Sequence, residues 1–254
     1  MTVNDVYKWL DAFAPFETQE SYDNAGLLVG DPAAQVRKIL FALDVTKAVV
    51  QEAARFGAEL IVAHHPLMFH PVQTLLFDHS EGAVLKALAV SGISLIAAHT
   101  NLDQCPGGIA DSLAEALELT DIQSSADSPY LRTGTLLAPM QAKAFLPLVS
   151  GKLQAPARLY GDPDAYLHSI TVIPGAGGED AAYVKADAVV IGEIKHHELL
   201  AALDKGLVVV DAGHYPTEFP GIAALYQRFQ KNAAQSGWAV EATLFSQPPA
   251  ICTA

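Results

Sequence analysis

Cysteine is scarce in this chain: two residues in 254, Cys105 and Cys252. Two thiols cannot build a disulfide scaffold, so the natural reading is a reducing compartment. Basic charge is scarce too, with 15 Lys and Arg against 28 Asp and Glu, a formal net charge of −13 and a pI near 4.9. That balance argues against gripping nucleic acid through a broad cationic face, and no aromatic-basic stripe suggests a single-strand groove. No uncharged run reaches membrane-spanning length, although mean hydropathy is +0.24. The start, MTVNDVYKWL, lacks the basic n-region and apolar h-region of a signal peptide. Charged residues make up only 17% and hydrophobic ones 51%, which excludes disorder and coiled coil as the main state. The expectation is a soluble, cytoplasmic, acidic protein with no membrane partner, built as one large α/β unit or two lobes. What the chain does have is histidine, nine in all, most of them grouped.

Helical and strand patterns alternate along the chain. Apolar spacing predicts helices over 3–13, 47–56, 80–91, 109–119, 140–150 and 217–232, and a short one carrying His196, His197 and Glu198. Apolar runs predict strands at 38–45, 59–63, 92–98, 132–138, 157–160, 168–173, 186–192, 206–212 and 238–244. This alternation predicts α/β architecture with mixed, partly parallel sheets. The polar stretch TDIQSSADSP (120–129) is the candidate boundary between lobes 1–125 and 126–254, with the C-terminal part free to pack back on the first lobe. Two segments share a grammar. AELIVAHHPLMF followed by GISLIAAHTNLD, and ADAVVIGEIKHHELL followed by GLVVVDAGHYPTE, each carry histidines and acids after buried strands. Carboxyl ends of parallel strands gather on one sheet edge, where α/β folds place their sites.

The residues that gather there on this reading are His64, His65, His99, Asp103, His214 and Glu218. Mixed imidazole and carboxylate ligands suit zinc, iron, manganese, cobalt or nickel; an all-oxygen set would suit calcium or magnesium. Neighbours at a strand end point different ways, so one metal rarely takes both His64 and His65, whereas two metals can each take one. Pro216 suits a first helical turn, and Glu218 falls there too, where the helix dipole favours the ionised form. The joint pattern reads as a dinuclear site with ions roughly 3.5–4 Å apart. Each piece also has a plain reading: a strand-end turn for HHP, a surface pair for His214 and Glu218, a helix cap for Asp103, a core or supporting histidine for His99. PGAGGED (174–180) reads as a turn rather than an anion nest; Asp23 and Asn24, ahead of the strand-like GLLVG, either line the cleft or make an Asx turn, with the turn favoured.

These motifs carry a resemblance. AHHPLMF (63–69), AHTNLDQCPGGIADSLA (98–114), GHYPTE (213–218), SYDNAGLLVGD (21–31) and IGEIKHHE (191–198) resemble the GTP cyclohydrolase 1 type 2 homologues, the Nif-three-like dinuclear metal centre proteins, in their short form. The resemblance implies two interlinked α/β lobes, a toroidal homohexamer, and two divalent ions per subunit. It assigns His65 and Asp103 to one ion, His64 and His214 to the other, Glu218 as the bridge, and His99 as outer ligand or proton carrier. It implies a metal-dependent hydrolase of the cyclohydrolase or phosphoesterase type, in which metal-bound hydroxide attacks a small anionic nucleotide or phosphoester. A non-catalytic metal-delivery or scaffold ring is the alternative. Departures are Tyr22, Ala110 and Ile191, where the family commonly has tryptophan, asparagine and threonine.

Overall fold

The computed structural model describes residues 1–246; Cys252 lies outside them. In chain order the first elements are α1 (Val3–Phe13), β1 (Gly26–Val29), β2 (Lys38–Ala42), α2 (Lys47–Phe56), β3 (Leu60–Ala63), α3 (Ser80–Ser91), β4 (Ser94–Ala97) and α4 (Thr100–Gln104). Then come α5 (Ile109–Ala116), β5 (Thr120–Ser124), β6 (Arg132–Gln141), α6 (Ala142–Leu153), β7 (Arg158–Tyr160), β8 (Tyr166–Ile173), β9 (Ala188–Ile191), α7 (His196–Asp204) and β10 (Val208–Asp211). The chain closes with α8 (His214–Gln235) and β11 (Glu241–Leu244).

Local chemistry explains the ends of these elements. Thr2 caps α1 through Asp5 N while Asp5 accepts from Thr2 N, a reciprocal capping box that turns Val3, Val6 and Leu10 into the core. Thr46 caps α2, and Gly57 ends it at φ 76°, a left-handed geometry that glycine adopts without steric cost.

Two compact units result. Among the described residues the first comprises Met1–Cys105 and those from Ile222 onward, and the second runs Pro106–Gly221. The sheet of the first has the order β1-β4-β3-β2-β11, with β4, β3, β2 and β11 parallel and β1 an antiparallel edge. The sheet of the second has the order β5-β6-β8-β9-β10-β7, with β8, β9 and β10 parallel and the others antiparallel. The mixed α/β class therefore stands. Strands β3, β4 and β9 are buried at every position, as central parallel strands covered on both faces must be.

The division falls at Cys105/Pro106, ahead of the 125/126 boundary expected from the sequence. The polar stretch at 120–129 misled because Thr120–Ser124 is an edge strand, exposed at four of five positions, paired only to β6. An edge strand with no apolar face has the composition of a loop. At the other end, β11 pairs in parallel with β2, so the last strand belongs to the first sheet. No helix among the described residues is long and apolar enough to cross a membrane.

Candidate metal centre

In the first unit the ligands follow the carboxyl ends of β3 and β4. His64 and His65 are the two residues after β3, with His65 N donating to Leu43 O at 3.0 Å. Ala98 N donates back to Ala63 O at 2.9 Å, which turns the chain after β4 so that His99 leads directly into α4. One turn on, Asp103 N donates to His99 O at 3.0 Å. The sequence pattern shows no element over 99–103; this single helical turn is what brings Asp103 back beside the histidines.

The three imidazoles are neighbours, with ring centroids 4.9 Å (His64–His65), 5.1 Å (His64–His99) and 5.6 Å (His65–His99) apart. One nitrogen of each lies within 4.8 Å of the others. Each ring is held through Nδ1: His64 by Ala98 O at 2.8 Å, His65 by Asp44 Oδ1 at 2.8 Å, His99 by Asp23 Oδ1 at 2.8 Å. A carbonyl oxygen only accepts, so His64 Nδ1 must donate, and in the neutral ring Nε2 keeps its lone pair. Oxygen-anchored Nδ1 is the arrangement that orients metal-binding histidines. His64 is fully buried, and its Nε2 lies 3.4 Å from Asp103 Oδ1, a buried oxygen that accepts no hydrogen bond. Two acceptors facing each other at that distance, out of water, are the environment a cation resolves. The donor set therefore fits a divalent metal.

The Asp23 side chain is sealed from solvent. Burial alone would push its carboxyl up, but hydrogen bonds from His99 and Thr100, together with the His99 charge, hold it well below the usual carboxylate range. Thr100 contributes both its N–H, at 3.0 Å, and its hydroxyl, at 2.5 Å. Of the two readings of Asp23, the favoured Asx turn is not the whole of it: the residue clamps His99 from 76 positions away.

In the second unit β10 delivers His214 as the first residue of α8, with Pro216 in its first turn. Glu218 follows one turn later, buried, with Oε2 at 3.0 Å from His214 Nε2. Glu193, two residues past β9, accepts from His214 Nδ1 at 2.9 Å. Burial disfavours the imidazolium, but the two carboxylates outweigh it and push the His214 pKa up to about 9. A divalent ion at Nε2 would take the place of that proton. Thr217 fixes the turn: its hydroxyl donates to Gly213 O and His214 O and accepts from Gly175 N at 3.2 Å. Gly175 sits at φ 60°, and a β-carbon there would stand 2.0 Å from Glu218 Oε1. PGAGGED thus begins as the expected turn and runs into a short 3-10 helix from Gly178 to Tyr183, and its first glycine is pressed against a candidate ligand.

The structure brings His64, His65, His99 and Asp103 together in the first unit, and His214 with Glu218 in the second. His64 Nε2 faces Asp103 Oδ1, while His65 Nδ1 turns to Asp44, two residues past the end of the neighbouring strand β2. His70, His79, His168, His196 and His197 are exposed. Glu198 accepts from Lys195 N at 2.8 Å and so starts α7. Cys105 is buried, with Sγ 3.5 Å from Leu102 O, a packing role.

The model for the Duf34/NIF3 (NGG1p interacting factor 3) family matches residues 1–249. The chain belongs to the DUF34/NIF3 family. Among its relatives, a GTP cyclohydrolase 1 type 2 homolog of Clostridium perfringens is 32% identical, covering 91% of this chain and 92% of that protein. NIF3-like protein 1 of Drosophila melanogaster is 28% identical over 84% of this chain. Among solved structures, a hypothetical protein of Staphylococcus aureus superposes with a TM-score of 0.90 at 28% identity, covering 97% of each chain. A Bacillus cereus protein related to NIF3 superposes at 0.92 with 21% identity, covering 100% of this chain and 99% of that one, which speaks to the fold alone.

Proposed function

We propose that this NIF3-family chain is a metal-dependent hydrolase with a dinuclear centre. In this reading His64, His65, Asp103, His214 and Glu218 together hold two divalent ions, drawn from zinc, iron, manganese, cobalt or nickel. The observation that carries it is the shared anchoring of His64, His65 and His214 by an oxygen at Nδ1, which commits each Nε2 to a ligand. When bound, the ions supply acidification of water and polarisation of a substrate oxygen. The remaining chemistry belongs to side chains. Asp23 holds His99 in one orientation with Nδ1 occupied, so Nε2 accepts a proton from the attacking water and returns it to the leaving group.

The substrate in this reading is a nucleotide or phosphoester. The relatives' shared name, GTP cyclohydrolase 1 type 2 homolog, makes a guanine nucleotide the first to assay. Two divalent ions against Asp103 and Glu218 alone would leave an excess of positive charge. Asp23, Asp44 and Glu193 behind the imidazoles bring the carboxylates to five against four positive charges. An anionic substrate is then drawn by direct coordination of its oxygens rather than by a net field. Self-assembly into a toroidal homohexamer is part of the proposal, supported by exposed apolar side chains such as Val90, Leu137 and Tyr166. Light scattering that reports a monomer would remove it.

The test is protein purified without chelator and assayed on guanine nucleotides, phosphomonoesters and phosphodiesters with added manganese, zinc or iron. His99→Gln should keep its metal and lose roughly 10²–10⁴-fold in turnover. Metal that exchanges freely and passes to an apo acceptor, with no turnover on any substrate, would replace the hydrolase by a metal-delivery protein.

A further inference from the structure

Beside His99 the first unit exposes two aromatic rings that neither its core nor its metal chemistry uses. Tyr22 is 63% exposed and Phe69 is 38% exposed. Their ring centroids are 6.3 Å apart at an angle of 59°. Phe69 also meets His99 at 5.9 Å and 85°, edge to face. Both rings stand on irregular segments, Tyr22 ahead of β1 and Phe69 in the long connection from β3 to α3.

Loops of this kind are ordinarily mobile, but these two are tied at each ring's neighbour. Asn24 Nδ2 donates to Met68 O at 2.6 Å, which fastens the Tyr22 segment to the Phe69 segment. Asp23, between Tyr22 and Asn24, accepts from His99 Nδ1 and Thr100 N. The same tripeptide therefore sets the orientation of the proton-carrying imidazole and the place of both rings. Keeping two large apolar rings in water has a cost, and holding them rigid gains nothing for the core. A tilted pair of π-faces beside a reactive group suits a flat ring, which stacks on aromatic side chains without needing a particular hydrogen-bond pattern. With the charges at the metals nearly balanced, discrimination between anionic substrates has to come from such contacts.

We propose that Tyr22 and Phe69 form a stacking subsite for a planar heteroaromatic ring of the substrate, positioned so that the scissile part reaches His99 and the metals. The subsite rests on the hydrolase reading for its purpose, though its occupancy can be measured without turnover. It selects flatness rather than one base, because every heteroaromatic ring offers a π-face.

The test is binding, by calorimetry, of guanosine 5′-monophosphate, ribose 5-phosphate and guanosine to the full chain purified without chelator. The ring-bearing phosphate should bind roughly tenfold or more tighter than ribose 5-phosphate. Phe69→Ala and Tyr22→Ala should bring that ratio near one while leaving the affinity for ribose 5-phosphate and the metal content unchanged. Tyr22→Trp should preserve the ratio. A ratio unaltered by both alanine variants, or no preference in the unmodified chain, overturns the subsite. If guanosine binds in a Phe69-dependent way while ribose 5-phosphate does not bind at all, the subsite stands and the anion-binding metal reading falls. Equal binding of both phosphates removes the subsite and leaves the anion-binding metals in place.

Discussion

Replacing Gly175 with alanine tests whether Glu218 is a ligand without touching any ligand. The new β-carbon would stand 2.0 Å from Glu218 Oε1 and 3.0 Å from its carboxyl carbon. Ordinary van der Waals contact begins near 3.4 Å, so carboxylate or loop must give by about 1.4 Å. The loop has little freedom, since Gly175 N is bonded to Thr217 and Glu193 N donates to Gly175 O at 2.8 Å. Two costs follow. Alanine at φ 60° loses roughly 1–2 kcal/mol of stability from backbone conformation alone. Displacing the carboxylate weakens metal binding, and shell substitutions of this kind typically cost roughly 10–100-fold. Gly57→Ala separates the two effects. Gly57 has φ 76° with nothing within 4 Å of its added β-carbon, so that variant carries the backbone cost and nothing else. Dialysis against graded chelator, followed by elemental analysis, reads metal affinity, and urea unfolding reads stability. Gly175→Ala should lose at least as much stability as Gly57→Ala, and only Gly175→Ala should lose metal. Unchanged retention in Gly175→Ala, or equal loss in Gly57→Ala, would refute the placement of Glu218.

Three further outcomes are expected. Asp23→Ala leaves His99 Nδ1 and Thr100 N without their shared acceptor and should lower unfolding free energy by about 2–3 kcal/mol in urea, with metal content maintained. Asp111→Ala removes the carboxylate that accepts from Arg132 Nε at 2.9 Å, leaving the buried guanidinium only carbonyl oxygens such as Pro129 O and Leu131 O against its charge, and should cost about 3 kcal/mol. An Asp111→Leu/Arg132→Met pair should recover most of that loss in the same titration. Burial alone would push the Asp187 carboxyl up, but hydrogen bonds from His168 N, Ser169 N and the Ser169 hydroxyl hold it below its ordinary value. Its folded-state pKa is depressed, so its contribution is complete above the usual carboxylate range and drains as pH falls from that range through the lower folded-state value. Asp187→Asn should flatten the acid limb of the urea midpoint against pH; an unchanged limb would count against the assignment.

Much of this molecule could be read from the chain because buried parallel strands and amphipathic helices leave strong periods. The helices at 3–13, 47–56 and 80–91 occupy those residues in the fold. Ligand candidates were legible for the same reason, since strand ends are visible and His64, His65, His99 and His214 each follow one closely. What escaped was set by pairing across strands. Asp44 and Glu193 are each 21 residues from the imidazole they anchor, and Asp23 is 76 away. A register argument could have found two of them. Ala42 pairs with Ala63, so Asp44 lies level with His65 two residues past the strands. Ile191 pairs with Asp211, so Glu193 comes level with Gly213, beside His214. Asp23 left no such signal, because it reaches His99 from a turn outside the sheet. Thr120–Ser124 was missed for the opposite reason: it is a strand whose sequence, exposed on both faces, has no apolar alternation to read.

The central claim is that these histidines and carboxylates hold two divalent ions, and metal stoichiometry tests it most directly. Protein purified from its own host without chelator should carry two divalent ions per chain by elemental analysis. Glu218→Ala should carry one or none, while His168→Ala, on an exposed histidine outside the cluster, should keep both. A chain that binds no metal, or a Glu218→Ala variant that keeps two ions with unchanged affinity, would contradict the account.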